Sequence, residues 1–168
     1  MATKPIVIYG DPVLRERAKP IEKIDQDVKD LVASMIATLK NANGLGLAGP
    51  QVGVSARLFI VDLSAVDLTE EVRVFINPEI LETNGHTSME EGCLSFPGIF
   101  QRVSRPEEVK VKATDLDGNE FTLEASGILG RAILHEYDHL EGKLFIDYLS
   151  SLSRTLLKGK LKRLAQAS

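Results

Sequence analysis

The 168-residue sequence has a single cysteine, only 5% aromatic residues and no long apolar run. One cysteine excludes an intramolecular disulfide framework. The longest aliphatic stretches, such as Ile6-Val7-Ile8 and Leu58-Phe59-Ile60-Val61, are far too short to span a membrane. Met1-Ala2-Thr3-Lys4-Pro5 lacks the apolar centre of a signal peptide, so a reducing, cytoplasm-like compartment is the default expectation. There is no internal repeat and no low-complexity segment. With 43% apolar residues and a net charge of −4, the composition excludes a disordered chain. The length suits one compact domain over residues 1–168.

What charge there is falls unevenly. Residues 154–168 hold Arg154, Lys158, Lys160, Lys162 and Arg163 and no acid, a local +5. The rest carries 15 basic and 24 acidic residues, a net −9. A basic tail on an acidic body suits a polyanion such as RNA. The plainer reading, favoured on sequence alone, is a solvated helix face whose charge complements the C-terminal end of the helix dipole.

Periodicity predicts the main elements. Val28, Leu31, Val32, Met35, Ile36 and Leu39 make one apolar stripe, so a helix runs from about Asp25 to Leu39 and breaks at Asn41-Ala42-Asn43-Gly44. Strand-like runs follow at 57–63, at 72–76 (ended by Asn77-Pro78) and at 79–82. Residues 109–113 and 120–124 alternate around a hairpin turn at Leu116-Asp117-Gly118-Asn119. Ser126 can cap a second helix reaching about Leu140, with Gly142 placed to end it. Its wide apolar arc (Ile128, Leu129, Ala132, Ile133, Leu140) predicts burial, and a third helix occupies about 153–168. Hairpin strands with few helices indicate an α+β fold rather than alternating βαβ units.

The chemistry centres on the buried helix, where His135-Glu136-Tyr137-Asp138-His139 fits H-E-x-x-H. Residues four apart lie about 40° apart around a helix, so both imidazoles can face one ion. Glu136, about 100° round, stands near a water at that ion without ligating it, as metal-assisted hydrolysis requires. Two core histidines bonded to backbone would be the bland alternative. On an apolar helix, however, these polar groups are costly without a partner. A catalytic site wants a third protein ligand. Downstream, Phe145 replaces the last histidine of the extended motif, and no Asp, Glu or His follows Asp147. The third ligand is therefore expected upstream.

Cys93, within Glu91-Gly92-Cys93-Leu94-Ser95, is the preferred donor, although a lone cysteine is usually a small buried apolar residue. His86, in a polar turn, is expected to be an exposed bystander. A glycine-rich segment, Gly44-Leu45-Gly46-Leu47-Ala48-Gly49-Pro50-Gln51, lacks both the P-loop ending and G-x-G-x-x-G spacing. It is either a flexible connector or a mount for Gln51, whose amide suits an oxyanion or a substrate carbonyl.

Three segments together resemble the peptide deformylase family, whose motifs are G-x-G-L-A-A-P-Q, E-G-C-L-S and H-E-x-D-H-L, in that order. Here they are residues 44–51, 91–95 and 135–140. The likeness extends to Asp11-Pro12-Val13-Leu14-Arg15 and Gly142-Lys143-Leu144-Phe145, nearly the whole chain. Two departures stand out. Gly49 replaces the usual alanine and is expected to loosen its segment slightly. Leu134 replaces a common glutamine and is expected to alter the pocket wall.

The resemblance implies small antiparallel or mixed β-sheets packed around the central H-E-x-x-H helix, with an N-terminal and a C-terminal helix. It implies a hydrolase that removes the formyl group from N-formylmethionine of new polypeptides and releases formate. Cys93, His135 and His139 would be the metal ligands. Iron(II) is the expected ion in cells, with zinc, nickel or cobalt able to replace it. Glu136 would move the proton, while Gln51 and the backbone N–H of Leu94 hold the oxyanion. Gly46 and Gly92 would leave room for an extended peptide, with Leu45 and Ala132 as pocket walls. Glu91 is expected to pair with Arg105 or Arg102 and hold the cysteine loop. The basic C-terminal helix becomes a candidate ribosome contact, no membrane partner is expected, and the compartment would be a bacterial cytoplasm or an organellar matrix. Two rival readings remain. One is a zinc metalloprotease, which wants a downstream ligand. The other is a metal-stabilised ribosome- or RNA-binding module, in which Glu136 would be dispensable.

Overall fold

A computed structural model describes residues 2–167. Met1 and Ser168, the last residue of the expected C-terminal helix, lie outside the described residues. Among the described residues there are three α-helices: α1 (Gln26–Ala42), α2 (Gly127–Leu140) and α3 (Ser151–Ala167). Seven strands accompany them: β1 (Gly46–Ala48), β2 (Leu58–Val61), β3 (Arg73–Asn84), β4 (Thr87–Gly92), β5 (Phe100–Arg105), β6 (Glu108–Thr114) and β7 (Glu120–Ser126). They form a five-stranded sheet, order β1-β2-β3-β6-β7, and a separate two-stranded sheet, β4-β5, every named pairing antiparallel. No described helix is long and apolar enough to cross a membrane.

The short strand β2 explains the layering. All four of its residues are buried, and successive side chains point to opposite faces. Phe59 and Val61 join Phe75, Val111 and Ile133 under α2, while Leu58 and Ile60 join Val32, Met35 and Leu39 of α1. One strand thus serves two cores, which is why its sequence reads as an unbroken apolar run. A third core, with Leu14, Phe96, Phe145 and Leu157, lies beneath α3.

α1 begins as expected, with the Asp25 side chain accepting from Val28 N–H at 3.1 Å, and ends at Asn43 in the left-handed region. Ser126 stands at the N-cap of α2, but its hydroxyl makes no capping bond, contrary to expectation. Gly142 ends that helix at φ +72°, and a Cβ there would meet the Arg15 carbonyl at 2.6 Å. α3 starts two residues earlier than expected, and the Ser150 hydroxyl before it accepts from Ser153 N–H at 3.2 Å.

The two runs at 72–76 and 79–82 are one strand, β3, not two. Asn77-Pro78 makes an irregularity inside it, the pairing with β6 shifting between Ile76 and Glu79. Asn77, at φ 49°, donates its N–H to Arg57 O, and its side-chain amide accepts from Ile21 N and donates to Ile21 O. The breaker residues are absorbed because their polar groups are satisfied outside the ladder. The hairpin β4-β5 and the strand β1 were not predicted. β4 reads Thr-Ser-Met-Glu-Glu-Gly, and nothing in that polar run signals a strand.

Candidate active site and metal centre

Cys93 directly follows β4, and His135 and His139 lie one turn apart on α2. Their ligand atoms all lie within 4.8 Å of one another, with Cys93 Sγ 3.4 Å from His139 Nε2. Among the described residues this is the one group of three or more His, Cys, Asp or Glu side chains close enough to hold an ion. His86 is exposed and takes no part.

The donor set fits a divalent metal. A thiolate with two imidazoles is a standard soft-to-borderline ligand set with room for a fourth position. His135 Nδ1 is engaged by Glu91 Oε1 at 2.9 Å, which leaves Nε2 for an ion. Burial holds the His139 imidazole well below its ordinary pKa, so its ring stays neutral with a lone pair available. Glu136 is 4% exposed, and its Oε1 is a buried oxygen without a protein partner. Burial pushes this carboxyl up to about 7, against the opposing pull of His135 and Arg105. A group poised there can both accept and return a proton near neutrality.

Gln51 sits in the short turn of 3-10 helix Gly49–Val52 that follows β1, and is fully buried. Its Oε1 accepts from Ala48 N–H at 3.0 Å, so its Nε2 must face the other way. There it lies 3.2 Å from Ser95 Oγ and 3.5 Å from Cys93 Sγ. The segment 44–51 is thus no flexible connector.

These groups open into a cavity of about 580 Å³, to which Leu45, Gly46, Gln51, Gly92, Cys93, Leu94, Ala132, His135 and Glu136 contribute. At Gly46 a Cβ would come within 2.7 Å of Glu136 Oε2, so a side chain there would displace the carboxylate. β1 forms the free edge of its sheet, and β4 pairs only with β5. Two unpaired strand edges therefore border the cavity.

The cysteine hairpin is tied to α2 by charge. Glu91, buried between β4 and the helix, accepts from Arg105 Nε at 2.6 Å and Nη2 at 3.0 Å, from Arg131 Nη1, and from His135. Burial would raise its pKa, yet His135 and Arg105 hold it down at about 2. Arg102 instead donates to Ser88 O, so Arg105 is the partner of the two expected. Arg131 was not anticipated. It also donates to the carbonyls of Val103 and Thr87, stitching both hairpin strands to α2. The available signal was an arginine on a helix otherwise expected to be buried, which demands a carboxylate nearby. Asp138 extends the network, accepting from Arg105 Nη1 and from the Tyr148 hydroxyl at 2.6 Å.

Residues 3–155 match the sequence pattern of the family described as polypeptide deformylase. The chain belongs to that family. A peptide deformylase of Chlorobium phaeobacteroides is 48% identical over 163 residues, 96% of this chain and 87% of that protein. The crystal structure of the Thermus thermophilus peptide deformylase has a TM-score of 0.92 at 37% identity, covering 99% of each chain. That of Legionella pneumophila gives 0.91 at 41% identity, covering 99% of this chain and 97% of that one.

The two departures from the deformylase motifs have local explanations. Gly49 does not loosen its segment: a Cβ there would lie 2.6 Å from Ala56 O and 3.0 Å from Val54 O, so glycine permits a close backbone approach. Leu134 is not among the residues lining the cavity but packs on the core between α2 and the sheet.

Proposed function

We propose that this deformylase hydrolyses the formamide bond of N-formylmethionine at the start of new polypeptides, as one catalytic domain over residues 1–168. Cys93, His135 and His139 would hold the divalent ion, iron(II) in cells, with zinc, nickel or cobalt able to replace it. Bound there, such an ion supplies positive charge that acidifies a water and polarises the formyl carbonyl. The observation that carries the proposal is the convergence of Cys93, His135 and His139 with the unpartnered Glu136 oxygen in one cavity.

The residues divide the work by position. The substrate backbone lies extended between the free edges of β1 and β4, at Gly46 and Gly92, as an added strand. The methionine side chain enters the cavity between Leu45 and Ala132. Glu136 takes a proton from the attacking water as a C–O bond forms at the formyl carbon. Gln51 Nε2–H and the backbone N–H of Leu94 donate to the oxygen that gains negative charge. When the C–N bond breaks, Glu136 returns the proton to the departing amine, leaving formate and a free N-terminus. Glu91 positions the site by holding His135 through Nδ1.

Formate release from a formyl-Met tripeptide, by protein prepared without oxygen and loaded with iron(II), tests this. Rapid release that chelation abolishes is expected; no release with metal bound and fold intact overturns it. Nothing supports the metalloprotease, which needs a downstream ligand, or the binding module, in which Glu136 is idle.

A ribosome contact through α3 is also proposed. Leu157, Leu161 and Leu164 anchor this helix on the core, while Arg154, Lys158, Lys160, Lys162 and Arg163 are all exposed. Binding to ribosomes that weakens steeply with salt is expected; absent or salt-insensitive binding removes the idea. Formylated starts put the enzyme in a bacterial cytoplasm or an organellar matrix.

A further inference from the structure

Of the six phenylalanines, Phe59, Phe75, Phe96 and Phe145 are sealed in the cores and Phe121 is half-buried. Phe100 is 62% exposed. It stands at the start of β5, directly opposite Gly92 in the hairpin register. Its ring lies over the Gly92 α-carbon: a Cβ at Gly92 would meet Phe100 Cε1 at 2.6 Å and Cδ1 at 2.7 Å. The ring borders the cavity, as do Leu45, Met89 and Ile128, three more of the ten exposed large apolar side chains among the described residues. Four exposed apolar side chains thus gather around this one mouth, as on a surface meant to be covered.

The hairpin has two faces. Glu91, Val103 and Arg105 point inward and are buried, whereas Glu90, Arg102 and Phe100 point outward. A peptide added along the free edge of β4 has the same alternation. If its first side chain turns inward to the cavity, its second turns outward, to the face on which Phe100 stands. Gly92 puts no side chain of its own between the two.

We infer that Phe100 is a specificity-determining residue: its exposed ring receives the side chain of the substrate's second residue and favours apolar and aromatic groups there. The inference rests on the deformylase reading above, and deepens it by adding a selection beyond the methionine. Apolar contact and ring packing supply the preference.

The test compares kcat/KM for formyl-Met-Phe-Ala, formyl-Met-Ala-Ala and formyl-Met-Ala-Phe in the iron-loaded wild type, F100A and F100L. Ratios within each protein cancel any general loss caused by uncovering Gly92. The wild type should prefer phenylalanine over alanine at the second position by about three- to tenfold. F100A should bring that ratio close to one, and F100L should leave a reduced preference. The ratio for the third position should not change. A second-position ratio equal in wild type and F100A overturns the inference while the deformylase reading stands. A change confined to the third position overturns it too. No formate from formyl-Met-Ala-Ala in any of the three proteins refutes the deformylase reading and takes the inference with it.

Discussion

The two walls of the cavity are built on different physics. One wall, β1 with the five-stranded sheet behind it, is held by apolar burial: Leu47, Ala48, Phe59, Ile60 and Phe75 are fully buried. The other, the β4-β5 hairpin, carries Cys93; its Val103 and the connecting Phe96 and Ile99 join the core beneath α3, but its hold on α2 is ionic. It is held to α2 by Glu91, Arg105, Arg131 and Asp138, four buried or nearly buried charges joined by ion pairs. A wall made of apolar contacts tolerates change in proportion to the volume lost. A wall made of paired charges fails abruptly when one partner goes, since the remaining charge is stranded in low dielectric. The candidate metal donors come from the hairpin, as Cys93, and from α2, as His135 and His139, the helix that rests on the sheet and also grips the hairpin.

The largest expected effect separates chemistry from both walls. Glu136→Gln should lower kcat by about a hundred- to ten-thousandfold, with metal content and thermal stability unchanged. Loss of the bound ion in that variant would show Glu136 to be part of the scaffold. Next, Glu91→Gln attacks the charged wall and the support it gives His135. It should cost about 3–5 kcal/mol in urea unfolding and weaken metal affinity about 10–100-fold. Unchanged stability and metal content would mean that the hairpin is held by something other than its ion network.

pH sharpens the contrast without mutation. The folded-state pKa of Glu91 is about 2 against an ordinary 4.5, so the unfolded chain binds more protons between those values. In chelated protein the hairpin's stabilisation should be complete above about pH 4.5 and fade as pH falls towards 2. Hydrogen exchange followed by mass spectrometry should show residues 87–105 loosening before residues 58–61. Simultaneous loosening would erase the distinction. The smallest effect is on the apolar wall: Ile60→Val should cost about 1 kcal/mol and cost the same at pH 7 as at pH 4.

Legibility in the sequence follows the same division. α1, α2 and the paired strands β6 and β7 could be read because one face of each meets an apolar core, which imposes a period of 3.6 or 2. β2 could be read as a continuous apolar run. The hairpin could not: Glu91 and Arg105 occupy its inward positions where a strand pattern expects valine or leucine. Likewise Asn77-Pro78 reads as a stop, and only the distant partners Ile21 and Arg57 let the strand continue through it.

By itself the sequence determined the α+β class, the helix that presents His135, Glu136 and His139 on adjacent turns, and the ordered motifs of the deformylase family. These are local properties, set by spacing along one chain segment. Only the tertiary structure decided that Arg105 rather than Arg102 takes Glu91, that Arg131 joins them, and that Gly49 marks a close backbone approach. It also decided that Phe100 stands over Gly92 at the cavity mouth. Each of those depends on which segments meet across the fold, and charges or ring faces separated by eight to forty residues leave no periodic trace in the sequence.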